Sequence, residues 1–287
     1  FGSYTITNLK KSMKLKIIST VILLLLTFIN ITYSQDDIAK NEFRKVTQNA
    51  FKEGEKLTFE VNYGFVTAGE AVMEIDPVFQ TMNARKCYDI RFYVNSTESF
   101  DWVYKVRDFY RTYVDKEGLF PWRFEQHIKE GNYQRDFEAI FDQENLKVKT
   151  YTGEKDPKKF EGEFDIPKYV QDAMSAFYFY RTLDYSKMKI GDMTLLQNFY
   201  KDKTFPLNVK YLGKETIEVP AGEFRCIKVE PLVQEGGLFK SEGSIVVWMT
   251  DDDRKMPVKV KTKVIIGSID ADLSSYSGLA GPLNSKE

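Results

Sequence analysis

Histidine is nearly absent. The 287-residue chain has one, His127, and only two cysteines, Cys87 and Cys226. One imidazole and two thiols on separate segments, without ligand spacing, exclude a His- or Cys-based zinc site. A Ser-His-acid triad needs a nucleophile beside its base, and no Gly-x-Ser-x-Gly elbow occurs. Phosphate-cradling glycine loops are missing too. No sign of charge dominates: 41 Lys plus Arg face 42 Asp plus Glu, and no block of like charge is long enough for a nucleic-acid footprint. Neither a Pro/Gly/Ser linker nor an internal repeat divides the chain, so one domain is expected. The sequence therefore predicts no catalytic residue, no metal, no cofactor and no nucleic-acid partner.

The residues that could still carry chemistry have plainer readings. His127 stands with parity opposite to Trp122, Phe124 and Ile128, which predicts a solvent-facing strand residue. Asp251, Asp252 and Asp253 offer oxygen ligands that would suit calcium, but three acids between Trp248 and Met256 are also what a hairpin turn requires, and the turn is expected. Lys255, Lys259, Lys261 and Lys263 line one strand face, a stripe that reads as a solvated face or a guard against edge pairing, or as a contact for anionic lipid headgroups.

One long apolar run is present, from Ile17 to Ile31 behind Met13, Lys14 and Lys16. With Thr32 and Ser34 before Gln35 it predicts a signal peptide over 13–34, cleaved after Ser34. At about 15 residues the run is short of the roughly 20 that span a bilayer. No integral membrane span is expected after cleavage, and the location expected is periplasmic or secreted. Residues 1–12 read as an upstream non-native segment and 35–50 as a lead-in. A single β-rich domain is expected over 51–273, followed by a flexible tail over 274–287.

Period-two patterning dominates the rest. Leu57, Phe59, Val61, Tyr63 and Phe65 alternate with Thr58, Glu60, Asn62 and Gly64, and Ala71, Met73 and Ile75 alternate with Glu70, Val72 and Glu74. Similar segments follow up to Leu273, separated by short turns such as Glu130-Gly131-Asn132, which makes successive strands antiparallel neighbours. One segment departs from this rhythm. Val170, Ala173, Met174, Phe177 and Arg181 fall at helical spacing, while Tyr178, Phe179 and Tyr180 put rings on the other faces. A helix apolar all round is a buried helix. The fold expected is mainly β: a large curved antiparallel meander, an open barrel or half-barrel, wrapping one central α-helix. A helix on the outside of a sandwich is the alternative. Cys87 and Cys226 lie in such strands, either paired or as buried free thiols.

Glu53-Gly54-Glu55-Lys56-Leu57, Tyr63-Gly64, Ala68-Gly69-Glu70-Ala71, Asp172 with Ser175-Ala176-Phe177-Tyr178 and Arg181, Ala221-Gly222-Glu223-Phe224, and Val247-Trp248-Met249-Thr250-Asp251 leading to Pro257-Val258 resemble, in that order, the exported bacterial domain-of-unknown-function family 3108. The resemblance covers nearly all of 51–273. It implies export and an architecture similar to the lipoprotein carriers, an open antiparallel barrel around an apolar cavity, and implies no catalytic residue.

Aromatic side chains are in excess at 15%. Rings on both parities of some strands place part of that surface off the core, along a cleft or at a contact surface. Arg181 needs a partner if buried, and Asp172, nine residues away, is too far along the same helix to serve. A strand acid or a ligand anion remains. Two functions follow. The first is an exported envelope protein, not an enzyme, that binds a hydrophobic, lipid or lipoprotein ligand through Phe177, Tyr178, Arg181, Phe92 and Trp122. The second is a structural or interaction protein whose sheet is filled by its own rings and which docks another envelope protein.

Overall fold

The computed structural model describes residues 42–232, 245–264 and 267–287. It divides into Phe1–Arg44 and Lys45–Glu287, and the architecture below is that of the second unit. The expected signal peptide, its cleavage site and the lead-in as far as residue 41 lie outside the described residues.

The alternating segments form strands β1 Lys56–Tyr63, β2 Val66–Ile75, β3 Gln80–Met82, β4 Arg85–Ser96, β5 Arg107–Asp115, β6 Pro121–Glu130, β7 Tyr133–Asp142, β8 Lys147–Thr152 and β9 Lys159–Asp165. After helix α2 come β10 Met193–Tyr200, β11 Lys203–Val219, β12 Gly222–Leu232, β13 Ile245–Thr250, β14 Pro257–Lys263 and β15 Ser268–Ser277. They make one antiparallel sheet in the order β10-β11-β12-β13-β14-β15-β1-β2-β4-β5-β6-β7-β8-β9, with β3 paired to β4. First and last strands pair in mid-sheet, β1 with β15, which joins the two halves of the meander into one open sheet. Its two edges are β9 and β10.

Edges invite foreign strands, and here the seam is partly covered. The Gln171 N–H donates to the Gln197 carbonyl at 2.8 Å, and the Phe199 N–H donates to the Gln171 carbonyl at 2.8 Å. Phe199 of β10 also meets Phe164 of β9 and Phe141 of β7, each pair of rings 6.0 Å apart.

Among the described residues two short helices accompany the sheet, where one was expected. Helix α1, Glu98–Asp101, is a single turn in the β4–β5 connection. Helix α2, Ala173–Tyr180, is the aromatic one. Asp172 caps it, accepting from the Met174 and Ser175 N–H groups at 2.7 and 2.9 Å, while its own N–H donates to Ser175 Oγ at 2.9 Å. Met174 and Tyr178 belong to the core cluster built from Leu57, Phe59, Ile75, Ile90, Val114, Phe124, Ala139 and Leu273. Tyr180 joins a second cluster with Val209, Tyr211, Val229 and Val247. The helix thus threads the hollow of the sheet, as its all-round hydrophobicity predicts.

The cysteines are unpaired and buried. Cys226 on β12 and Cys87 on β4 stand six steps apart in the strand order, at roughly 4.8 Å per step, well beyond disulfide reach. Burial pushes both thiols up to about 12. The lysine stripe belongs to no edge, since β14 lies between β13 and β15. Lys259 pairs with Asp272 at 2.6 Å and Lys261 with Asp270 at 3.3 Å, a cross-strand charge ladder. The expected C-terminal tail is instead strand as far as Ser277, then docked. The Arg225 N–H donates to the Ser285 carbonyl at 2.9 Å, and Ser285 is fully buried. Asp252 organises the expected turn, accepting from the Arg254 N–H at 2.9 Å and from Ser285 Oγ at 2.8 Å.

Candidate functional site: the mouth of the hollow

Strand register shows which side chains share the inner face and at what depth. One row runs Ile75, Ile90, Thr112, Phe124, Ala139 and Thr150, and every member is buried. The next runs Met73, Phe92, Tyr110, Gln126, Phe137 and Thr152; here Phe92, Tyr110 and Thr152 are only half-buried. One step further, Val94, Ile128 and Arg135 are half-buried, while Ala71 and Asp108 of the same row are buried. Along β1 the same change runs Leu57 and Phe59 buried, Val61 half-buried, Tyr63 exposed. The inner face is therefore closely packed at one end and gains solvent access toward the other, where the β1–β2, β4–β5, β6–β7 and β8–β9 connections form the rim, or mouth, of the hollow.

The solid end is held by charge as well as by rings. Arg181 closes α2, fully buried, and Glu55 stands beside it at 1% exposure just before β1. Arg181 Nη1 donates to Glu55 Oε1 at 2.6 Å and Nη2 to Oε2 at 2.9 Å, with further bonds from Nη2 to the Ala50 and Arg254 carbonyls at 3.2 and 3.3 Å. The guanidinium lies 5.3 Å over the Phe51 ring and 5.1 Å over that of Tyr178. At this end the chain leaving β15 crosses so close that a Cβ on Gly278 would meet the Gly54 carbonyl oxygen at 1.9 Å.

Of the residues the sequence singles out, three are spent inside. Tyr178 is 1% exposed and Trp122 2%. The Trp122 indole donates to Asp115 at 3.2 Å, and Arg181 already has its carboxylate. Phe177 and Phe92 are different: both pack against the core yet stay half-buried. Phe177 and Ala173, one turn earlier, are the members of their helix face that keep access. His127 takes the outer face, as its parity predicts. It is shielded there by the Phe109 ring, 5.9 Å away and stacked, and bonded through Nδ1 to Asp136 at 2.6 Å.

Sequence reasoning passes over the polar groups near the mouth. Asp108 shares the row of Val94, accepts from the Lys129 N–H at 3.0 Å, and is pushed up to about 6 by burial and then by Glu130. Burial also raises the Tyr110 hydroxyl. Arg135 of β7 stands opposite Ile128 and donates from Nη1 to Tyr200 Oη at 2.9 Å. The signal was available: Arg135 has the parity of Phe137 and Phe141, a charge on the apolar side of an alternating strand.

Asp172 gives the interior a pH dependence. Thr112 donates to its Oδ2 at 2.6 Å, yet burial prevails and pushes the carboxyl up to about 6 from 3.8. A group raised on folding contributes stability that is complete below its unfolded value and is lost as pH rises through the folded one. At about 1.4 kcal/mol per unit, this predicts a loss on the order of 3 kcal/mol from Asp172 between pH 4 and 7. Asp172→Asn keeps the capping acceptor and removes the titration. In urea melts its stability should fall less than the parent's over that interval; identical pH slopes would contradict the assignment.

The family described as "Protein of unknown function (DUF3108)" matches residues 58–274. Among curated proteins none matches the chain. A solved β-barrel-like protein of domain of unknown function DUF1849 from Brucella abortus superposes with a TM-score of 0.53 at 10% identity, over 79% of this chain and 99% of that one. A protein assigned as exported, with a YmcC-like fold, from Bacteroides fragilis gives a TM-score of 0.31 at 14% identity, over 82% of this chain and 100% of its own. One assigned as a lipoprotein, from Parabacteroides distasonis, gives 0.35 at 10%, over 83% and 100%. The first shows a shared barrel-like fold; the other two scores carry no argument.

Proposed function

The chain belongs to the DUF3108 family, and from that premise we propose that it is an exported envelope protein that binds a hydrophobic, lipid-like ligand in the mouth of its curved sheet. The observation that carries this reading is the inner-face gradient, from fully buried Ile90 to half-buried Phe92 and Val94 along one strand. Here apolar inner-face side chains are left with solvent access, which is the character of a ligand site. Export is supported by the pattern from Met13 to Ser34. Among the described residues no helix is long and apolar enough to cross a membrane. The reading assigns the protein no chemical step.

Titration of the full chain with neutral linear alkanols of graded length tests it. Each added methylene should strengthen binding by about 0.8 kcal/mol until the hollow is filled, and Phe92→Arg should weaken decan-1-ol by more than about tenfold, which is 1.4 kcal/mol. Affinity independent of chain length, or unaffected by Phe92→Arg, would reject the site.

A second reading has an observation of its own. The loops around the mouth carry Phe65 at 108% exposure and Trp102 at 84%, with Val66 and Val103 beside them. Such tips suit docking to another envelope component, and that is the interaction protein of the second reading.

A further inference from the structure

Resting on the ligand site just proposed, we infer that the ligand is an anionic amphiphile, one long apolar chain ending in a carboxylate or phosphate, and that Arg135 receives its charged head. Arg135 lies on the inner face, opposite Ile128 and one step from Phe137. Its contact with Tyr200 joins β7 to β10, strands separated across the seam by β8 and β9. A contact between such strands crosses the interior.

The guanidinium is held flat between rings, 5.0 Å over Phe137 and 5.3 Å over Tyr200. Neighbouring cations are neutralised: Arg123 by Glu125 and Glu138, and Lys129 by Glu154. Arg135 has a neutral phenol where they have a carboxylate. Among the described residues no carboxylate oxygen lies within 4.0 Å of it. A half-buried cation without a counter-ion is costly. Aromatic faces offset part of that cost without removing the charge. With Nη1 given to Tyr200, the Nε and Nη2 edge of the fork makes no bond to the described residues and matches a two-oxygen acceptor.

The surroundings fix the ligand's orientation. Phe92, Val94 and Ile128 supply apolar lining. The acids near the mouth are Asp108, engaged by the Lys129 N–H at 3.0 Å, Glu130, two residues on from Ile128, and Glu161 of β9, which accepts from Thr152 Oγ1 at 2.6 Å and is paired with Lys159 at 2.9 Å. Asp108 and Glu130, which pair with no cation among the described residues, stand toward β5 and β6, so an anionic head is repelled from that side and drawn to Arg135 on β7, where Glu161 is already neutralised by Lys159.

The test compares probes with the same ten-carbon tail on the full chain at pH 8: decan-1-ol, decanoate and decyl phosphate. At least one anion should bind the parent about tenfold more tightly than the alcohol. Arg135→Gln should abolish that preference, Arg135→Lys should retain part of it, and both variants should bind decan-1-ol within twofold of the parent, which also shows that they are folded. Decanoate against decyl phosphate then separates the two headgroups. Should the alcohol bind while neither anion is preferred, or should the preference survive in Arg135→Gln, the inference is overturned and the apolar site stands. Should no probe bind, both fail.

Discussion

Arg181→Ala is expected to destabilise the protein by about 3–5 kcal/mol, a large share of a domain stability of order 5–15 kcal/mol. The size follows from what the truncation leaves behind. Glu55 is 1% exposed and its two oxygens are the acceptors of the two Arg181 nitrogens, so the variant strands a carboxylate with no water to turn to. The Ala50 and Arg254 carbonyls lose the same donor. Those bonds tie the helix to the approach to β1 and to the β13–β14 turn, so the loss should appear as one cooperative transition at lower urea. The double variant Arg181→Met with Glu55→Gln should be less damaged than Arg181→Ala, because desolvation of the pair cancels much of its attraction. A loss below about 1 kcal/mol in the single variant, or strictly additive losses, would show that the pair does not hold the solid end.

Much of the architecture was legible because burial on one face of a strand writes itself as alternation. The missed elements lack that signature. Strand β9, Lys-Phe-Glu-Gly-Glu-Phe-Asp, is an edge strand with its residues largely exposed, and α1 is too short to show a period. Strand β11 reads as two strands because Gly213-Lys214-Glu215 resembles a turn. It is a register shift in one 17-residue strand, with Gly213 at φ 107°. For the site, Phe92 and Phe177 were visible as aromatic excess. What alternation cannot tell is depth: Ile90, Phe92 and Val94 read alike in sequence, and only the register separates the packed row from the accessible ones. Glu55 was hidden for a related reason, since its distance from Arg181 along the chain is 126 residues.

The second large effect concerns that depth. Ile90 and Val94 share one face of β4, the first fully buried and the second half-buried. A thiol at the first position reacts only through an opening of the core. If that opening requires about 4 kcal/mol, the reaction is slowed roughly a thousandfold relative to an accessible thiol. The native cysteines give little background, since both are buried and their thiols are pushed up to about 12, which leaves almost no thiolate near neutral pH.

The decisive measurement is the maleimide labelling rate of Val94→Cys and Ile90→Cys, with and without decan-1-ol. The hollow as described predicts that Val94→Cys labels about a thousandfold faster and is slowed by the alcohol. Comparable rates at the two positions, or a Val94→Cys rate that the alcohol leaves unchanged, would contradict a hollow that is solid at one end and open to an apolar chain at the other.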